Sequence, residues 1–180
     1  MLVPQGRTSD AIIAPDWTLV AADGQSVRLQ HIVSGRTTIL LFWATWCPYC
    51  KALMPHLQSM RLEYGDKIQV LAINFRDDGD PVAFMKDNGY DFTLLLDGEN
   101  VADLYGIWAT PGVLILDSDR AIRFDLRALP PIDLPQQRAN HRIRAAHRAP
   151  YWASEIRKRL DALVAADELS LGEENQRQAP

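Results

Sequence analysis

Cysteine is scarce in this sequence: Cys47 and Cys50 are the only two in 180 residues. A structural disulfide beside a separate reactive pair would need four cysteines, so any disulfide bond within this chain joins these two. A zinc site would need two further ligands at a suitable spacing. No second cysteine pair exists, and the histidines are scattered, at positions 31, 56, 141 and 147. The cysteine content favours redox chemistry over a metal site, and it does not decide the compartment.

Long apolar runs are also missing. No stretch approaches the roughly 20 apolar residues of a membrane-spanning helix. Residues 1–7 lack the apolar core of a signal peptide. We therefore expect either a cytosolic protein or a chain from which a leader has been removed and a start Met supplied in its place.

The chain as a whole has no large excess of one charge, since its net charge is −4, but its parts differ. Residues 120–159 hold ten Lys or Arg and three Asp or Glu, a local charge of +7. The rest of the chain holds nine basic and twenty acidic residues, a charge of −11. The basic segment contains no motif that reads a nucleic-acid groove, so nucleic-acid binding is not predicted. We interpret it as a solvated surface with a basic helix.

At 47% hydrophobic residues the chain has enough apolar material for one packed domain over 1–180. Apolar runs and turn residues predict strands at 17–20, 27–29, 38–43, 68–75, 92–96, 113–116 and 121–124. Helical spacing predicts helices from 48, over 81–88, over 100–105 and over 151–166. This order of elements indicates an α/β fold with a mixed central sheet flanked by helices.

The domain organisation includes segments that we do not expect to be regular. The predicted core covers about 14–125 together with the helix 151–166. Residues 126–149, rich in proline and arginine, are predicted to form an irregular insertion. Residues 1–13 and 167–180 are predicted to be loose tails.

The two cysteines follow a buried apolar run, at the point where a strand gives way to a helix. A helix N-terminus presents free N–H groups and the positive end of the helix dipole, and both favour a thiolate. Cys47 should therefore have a lowered pKa, be accessible and attack first. Cys50 lies one turn further on, where it can resolve a mixed disulfide and is expected to be buried. Tyr49, between the two, is expected to contact partners.

These residues resemble the thioredoxin superfamily, and in particular its TlpA/ResA-like branch of bacterial thiol–disulfide oxidoreductases. The motif is Phe42–Lys51, with Pro55 five positions beyond the second cysteine. Residues 14–29 resemble the N-terminal β-hairpin of that branch, and residues 77–96 resemble its central α/β insertion. Tyr105-Gly106-Ile107 followed by Thr110-Pro111 resembles the approach to the cis-proline of the superfamily.

The resemblance implies a thioredoxin-like fold and a role for each matching residue. Cys47 is the implied nucleophile and Cys50 the resolving thiol, with Pro48 between them in the motif. Pro111 is implied to be cis and packed against the disulfide, Thr110 to offer its backbone to an extended substrate, and Trp46 to shield the disulfide. The implied activity is disulfide exchange with protein substrates, with no bound cofactor and no metal. A redox partner protein, such as a membrane thiol transporter, would supply electrons to a monomeric enzyme in the periplasm.

Two positions depart from the pattern of these relatives. The glutamate that many members of the branch carry three residues after the second cysteine is replaced by Leu53. The buried aspartate that thioredoxins carry six residues before the first cysteine is replaced by Leu41. Without either carboxylate, Cys50 should have a raised pKa. Its proton would then leave through water, through Cys47 or through a charge that the sequence does not reveal.

Other interpretations remain open. Cys-Pro-Tyr-Cys also occurs in glutaredoxins, so a glutathione-dependent enzyme is an alternative, and a copper chaperone on the same fold is another. Outside the motif, Trp43 is expected in the core and His56 on the surface. Trp108 could line the substrate groove or pack its loop. Asp77 and Asp78 are expected in a solvated loop.

Overall fold

The structure is a computed structural model that describes residues 11–33, 35–132 and 140–177. Its strands are β1 (Thr18–Val20), β2 (Ser26–Arg28), β3 (Thr37–Trp43), β4 (Ile68–Asn74), β5 (Thr93–Leu95), β6 (Gly112–Leu116) and β7 (Ile122–Asp125). Its helices are α1 (Leu29–Val33), α2 (Pro48–Tyr64), α3 (Pro81–Asn88), α4 (Glu99–Leu104) and α5 (His141–Arg177). Two short 3₁₀ turns, Gly65–Lys67 and Leu126–Ala128, follow α2 and β7.

Five strands form the central sheet in the order β5-β4-β3-β6-β7. β3 pairs in parallel with β4 and antiparallel with β6, while β5 joins β4 in parallel and β7 joins β6 antiparallel. β1 and β2 form a separate antiparallel hairpin. The predicted α/β fold, with a mixed central sheet and an N-terminal hairpin, is confirmed.

The sheet separates two apolar layers because the side chains of β3 alternate between its faces. Ile39, Leu41 and Trp43 point to the layer that contains α2 and α5. Leu40 and Phe42 point to the layer that contains the hairpin, α1 and α4. Every residue of β3, β4 and β6 is buried, as expected for strands covered on both faces.

Both edges of the sheet are hydrogen-bonded to other parts of the chain. At the β5 edge, the Ala22 N–H donates to the Leu94 carbonyl at 2.9 Å and the Leu96 N–H donates to the Val20 carbonyl at 3.1 Å. At the start of β7, the Ile122 N–H donates to the carbonyl of Ile12 at 2.9 Å. The prediction of a loose tail over 1–13 is therefore wrong for its last residues, while residues 1–10 lie outside the described part of the chain.

The last helix is longer than predicted at both ends. α5 begins at His141 and runs through Pro150 to Arg177, whereas the sequence predicted 151–166. The reason is a continuous buried stripe that packs along α2: Ala145, Ala149, Ala153, Ile156, Leu160 and Val164. Because this stripe continues on both sides of Pro150, apolar packing outweighs the hydrogen bond that proline cannot donate.

The predicted irregular insertion over 126–149 is consequently wrong in two parts. Leu126–Ala128 forms a 3₁₀ turn, and 141–149 forms the first turns of α5. Residues 133–139 lie outside the described part of the chain. The predicted loose tail over 167–180 is wrong as far as Arg177, because α5 continues to that residue. No helix in the described ranges is both long and apolar enough to cross a membrane.

Candidate active site

The junction between β3 and α2 holds both cysteines. Cys47 is the N-cap of α2, with φ −80° and ψ 111°, and the N–H of Cys50 donates to its sulfur at 3.2 Å. Pro48 occupies the first turn of α2, where its missing N–H costs no helical hydrogen bond. Both cysteines are free thiols in this structure. The sulfur of Cys47 thus occupies the place of the oxygen in an ordinary capping side chain.

The pKa of Cys47 is lowered from 9.0 to about 6. The largest cause is the hydrogen bond from the Cys50 thiol, and hydrogen bonds from the Thr110 side chain and from the Cys50 and Tyr49 backbones add to it. Together these outweigh the burial of the sulfur, which acts in the opposite direction. At neutral pH Cys47 is therefore mostly a thiolate, as the sequence predicted.

The pKa of Cys50 is shifted in the opposite direction, well above its ordinary value. Burial is the main cause, and the hydrogen bond to Cys47 and the negative charge of Cys47 reinforce it. Leu41 and Leu53, at the positions where relatives carry carboxylates, are both fully buried. The polar groups that act most strongly on Cys50 come from Cys47, Ala44 and Thr110, and none of them is a carboxylate.

Cys47 lies on the floor of a groove and is only 1% exposed, so the expectation of a freely accessible sulfur is wrong. The groove is a cavity of about 460 Å³. Its lining consists of Trp46, Cys47, Pro48, Tyr49, Trp108, Ala109, Thr110 and His141. A substrate sulfur can reach Cys47 only by entering between these side chains.

Two exposed indole rings stand in this lining. Trp46 is 56% exposed, and its Nε1 donates to the carbonyl of Arg76 at 2.9 Å. Trp108 is 68% exposed. Large exposed aromatic side chains beside a reactive group are typical of binding surfaces. The structure thus places Trp108 in the groove, a position that the sequence had left open, whereas Trp43 is buried in the core.

The loop before β6 forms the next part of the site. The peptide bond between Thr110 and Pro111 is cis. Thr110 lines the same groove as Cys47, and its side chain helps to lower the pKa of Cys47. The structure therefore brings together the full set of predicted site residues: Trp46, Cys47, Pro48, Tyr49, Cys50, Thr110 and Pro111.

Sequence reasoning missed the role of Asp77, which was expected in a solvated loop. Its carboxylate accepts hydrogen bonds from the Thr45 N–H and Oγ1 at 2.6 Å each, from Asn74 Nδ2 at 2.7 Å and from the Gly79 N–H at 3.0 Å. Burial would raise the pKa of Asp77, but these hydrogen bonds outweigh it and lower the pKa. A Cβ at Gly79 would meet Thr45 Oγ1 at 2.2 Å. The loop after β4 thus holds the loop that carries Trp46 and Cys47.

The N-terminal turns of α5 were also missed, because residues 126–149 were expected to form an irregular insertion. Tyr49 packs against them: its ring centroid lies 5.9 Å from that of His141 and 6.1 Å from that of Trp152. The Arg148 guanidinium lies 5.8 Å from the same ring. Only the aromatic character of Tyr49 gave a signal in the sequence, since its partners lie about a hundred positions away.

No group of three or more His, Cys, Asp or Glu side chains suited to a metal ion occurs among the residues for which the structure gives positions. The chemistry that the described side chains can support is that of a thiolate next to a protonated thiol, facing a groove lined by aromatic rings.

Comparison with known proteins gives several relatives. Residues 12–125 match the AhpC/TSA family. The thioredoxin-like protein YneN of Bacillus subtilis is 32% identical over 114 residues, which cover 61% of this chain and 66% of YneN. The thiol-disulfide oxidoreductase ResA of Halalkalibacterium halodurans is 31% identical over 107 residues, with 58% and 60% covered. The thiol:disulfide interchange protein DsbE of Escherichia coli is 29% identical over 115 residues, with 61% and 60% covered.

Solved structures share the fold. An uncharacterized conserved protein from Geobacillus kaustophilus has a TM-score of 0.67 at 25% identity, with 87% of this chain and 82% of that chain covered. A thiol:disulfide interchange protein from Bacteroides sp. has a TM-score of 0.58 at 20% identity, with 65% and 80% covered, which supports the fold alone. The matches span 60 to 66% of the length of the three curated relatives.

Proposed function

The chain belongs to the AhpC/TSA family, and on that premise we propose that it is a thiol–disulfide oxidoreductase of the TlpA/ResA-like kind, acting on protein disulfides. The observation that carries the proposal is the capping position of Cys47. Its pKa of about 6 keeps it ionised at neutral pH, directly beneath an aromatic groove. Thiolates, not thiols, attack disulfides.

In the proposed reaction the Cys47 thiolate attacks one sulfur of a substrate disulfide. A Cys47–substrate disulfide forms, and the other substrate sulfur leaves as a thiolate. Cys50 then loses its proton and attacks the Cys47 sulfur, which releases the second substrate thiolate and leaves a Cys47–Cys50 disulfide. The substrate gains two electrons and takes up two protons, one from Cys50 and one from solvent. A redox partner protein returns the dithiol to its reduced form.

The first step itself prepares the second. The negative charge of Cys47 and its hydrogen bond both raise the pKa of Cys50. Once Cys47 is bonded to the substrate, that charge is gone and the sulfur is a poorer acceptor. The pKa of Cys50 therefore falls at the moment when a second thiolate is needed, even though no carboxylate stands at position 41 or 53.

The direct test is reduction of insulin with dithiothreitol as electron source. We expect wild-type protein to accelerate the precipitation of insulin chains and Cys47→Ser to show no acceleration. Cys50→Ala should accumulate a mixed disulfide with the substrate, visible as an adduct by mass spectrometry. Activity that survives Cys47→Ser would overturn the proposal.

The Cys-Pro-Tyr-Cys sequence supports one second candidate, a glutathione-dependent oxidoreductase. It predicts a stable Cys47–glutathione adduct and turnover of mixed disulfides with glutathione as the only reductant. Assays with glutathione in place of dithiothreitol distinguish the two candidates.

We also propose a periplasmic location, a monomeric state and a membrane thiol transporter as electron donor, all from the resemblance to the TlpA/ResA-like branch. Cell fractionation of the natural host tests the location. Trapping the transporter on the Cys50→Ala variant tests the donor, and sedimentation tests the monomer.

A further inference from the structure

The structure assigns a substrate-selecting role to the first turns of α5: we propose that Arg148 recognises a carboxylate beside the reactive cysteine of a polypeptide substrate. The inference rests on the proposed function, because it names the class of substrate that the same dithiol would reduce. It concerns a part of the chain that lies beyond residues 12–125, the region that matches the family.

Arg148 lies beside the reactive groove. A second cavity, of about 300 Å³, is bordered by Arg148 and Trp152 on α5 and by Tyr49, Thr110 and Pro111. It shares Tyr49 and Thr110 with the cavity above Cys47. A chain that enters one cavity with its cysteine sulfur therefore places the neighbouring residues in the other.

The charge at this place is positive. Arg127 also borders the second cavity, but its guanidinium is already held by both oxygens of Asp125 and by the Gly106 carbonyl. Arg148 is half-buried and lies over the Tyr49 ring, and no carboxylate in the described part of the chain forms an ion pair with it. Of the two described cations that border the second cavity, Arg148 is therefore the one whose hydrogen-bonding capacity is left for a ligand.

Three other half-buried arginines in the described part of the chain differ from Arg148 in this respect. Arg61, Arg120 and Arg157 each contact a carboxylate. A half-buried guanidinium without a carboxylate has lost part of its hydration, and for Arg148 the contact with the Tyr49 ring offsets only part of that loss. One turn earlier on the same face, Arg144 has a buried Nε without a hydrogen-bond partner among the described residues. Among the residues that the structure describes, no carboxylate forms an ion pair with either of these two arginines on one face of α5.

A carboxylate is the ligand that fits best. Guanidinium groups bind carboxylates through two parallel hydrogen bonds, and stacking on an aromatic ring holds the guanidinium in place for that contact. The chain as a whole is acidic, with a charge of −4, so an acidic substrate would be guided to the +7 segment 120–159 rather than to the molecule in general. An Asp or Glu within one or two positions of the substrate cysteine meets these conditions.

The test compares disulfide-linked peptides that differ only beside the cysteine, with Glu, Gln or Lys at that position. Reduction by the full-length protein is followed as kcat/KM. For wild type we expect the Glu peptide to react about tenfold faster than the Lys peptide, with Gln between them. The preference should shrink as salt rises from about 0.05 to about 0.5 M, because exposed charges are then screened.

Charge reversal separates recognition from a structural defect. Arg148→Glu should invert the preference, so that the Lys peptide reacts faster, which a merely loosened groove would not do. Arg142→Glu, an exposed arginine on the same helix, is the matched control and should keep the wild-type order. Equal rates for the three peptides with wild type, or an order unchanged in Arg148→Glu, would overturn the inference.

The same assay keeps the two proposals apart. If wild type and Arg148→Glu both reduce the peptides, and each variant reduces the Glu, Gln and Lys peptides at similar rates, then disulfide reduction stands and acidic recognition fails. If wild type reduces none of the peptides while dithiothreitol does, the proposed function fails and the inference with it. If Arg148→Glu lowers kcat/KM for glutathione disulfide but changes kcat/KM for none of the peptides, the recognised carboxylate belongs to a small thiol. That result would overturn the assignment of a polypeptide substrate.

Discussion

At the start of α2 the two cysteine sulfurs differ in protonation: Cys50 is a thiol and Cys47 is mostly a thiolate at neutral pH. Cys50 keeps the proton because it is buried, and Cys47 loses it because the Cys50 thiol, Thr110 and backbone N–H groups all donate to its sulfur. The two pKa shifts have opposite signs, and the interaction between the two sulfurs contributes to both. Replacing either cysteine must therefore change the titration of the other.

The alkylation of Cys47 by iodoacetamide tests this sharing. The thiolate reacts, and the pKa of Cys47 is lowered to about 6, so the rate should rise with pH around a midpoint of about 6. In Cys50→Ala the largest lowering contribution is lost, and the midpoint should move towards 9. A midpoint near 9 in wild type would remove the basis of the proposed mechanism.

Asp77 offers a second test at this scale, with its neighbour Asp78 as control. Asp77→Asn retains the size of the side chain but turns one acceptor oxygen into an N–H donor facing the Thr45 and Asn74 donors. We expect a loss of about 1 to 3 kcal/mol in the free energy of unfolding, measured in urea. Asp78 is exposed, and Asp78→Asn should be nearly neutral.

If Asp77 had a purely structural role, Asp77→Asn would lower the free energy of unfolding and leave the reactivity of Cys47 unchanged. Because its loop holds the segment that leads into Cys47, we also expect the alkylation midpoint of Cys47 to shift in Asp77→Asn. The Cys47 N–H donates to the carbonyl of Ala44 at 3.1 Å, next to the clamped Thr45. An unchanged midpoint with reduced stability would show that Asp77 supports the fold without tuning the thiol.

Among the elements, α5 shows the largest gap between the local pattern and the tertiary structure. Pro150 predicts a helix boundary because it donates no backbone hydrogen bond and disfavours a helical residue before it. The helix nevertheless continues, since the buried stripe from Ala145 to Val164 packs against α2 on both sides of the proline. The helix therefore still lacks the hydrogen bond that Pro150 cannot donate, and the burial of the stripe outweighs this loss.

Pro150→Ala should therefore stabilise the protein. Alanine would restore the missing hydrogen bond and relieve the contact with the preceding turn, against a smaller gain in the entropy of the unfolded chain. We expect about 1 to 2 kcal/mol of additional stability, measured by urea denaturation with reduction activity unchanged. A destabilised Pro150→Ala would show that the turns before Pro150 do not form a continuous helix with those after it.

Local elements were predictable where one signal dominated. Asp80 before Pro81 and Gly89 after Asn88 bound α3 as the sequence predicted, because the Asp80 side chain accepts from the Ala83 N–H at 2.9 Å and Gly89 adopts a left-handed conformation. The strand-to-helix turn at Cys47 was predictable for the same reason. The contact between Tyr49 and α5 was not, since it joins residues about a hundred positions apart and no local pattern contains it.

For the molecule as a whole, the pKa of Cys47 bears on the direction in which electrons flow. A lowered thiolate pKa stabilises the reduced form, and one pKa unit corresponds to roughly 30 mV for a two-electron couple. Thioredoxin, with a pKa of about 7, has a potential of about −270 mV. The lowered pKa of Cys47 therefore predicts a potential less negative than that of thioredoxin for this protein.

Equilibration with glutathione or dithiothreitol buffers measures that potential. Arg142→Glu serves as the control, because Arg142 is exposed and borders neither cavity, and it should shift the value by much less than Cys-Pro-Tyr-Cys→Cys-Gly-Pro-Cys. A potential at or below that of thioredoxin would contradict the link between the Cys47 pKa and the stability of the dithiol form.

The pairing at the two edges of the central sheet has a consequence for how this protein meets its proposed substrates. Its proposed substrates are polypeptides, and an extended polypeptide segment can pair with an open edge strand. Here the hairpin is hydrogen-bonded to the β5 edge and Ile12 is hydrogen-bonded to the start of β7, so part of each edge is already paired. We therefore expect a substrate polypeptide to find few free strand groups at the edges of the sheet, which lowers the tendency of this protein to aggregate with its substrates.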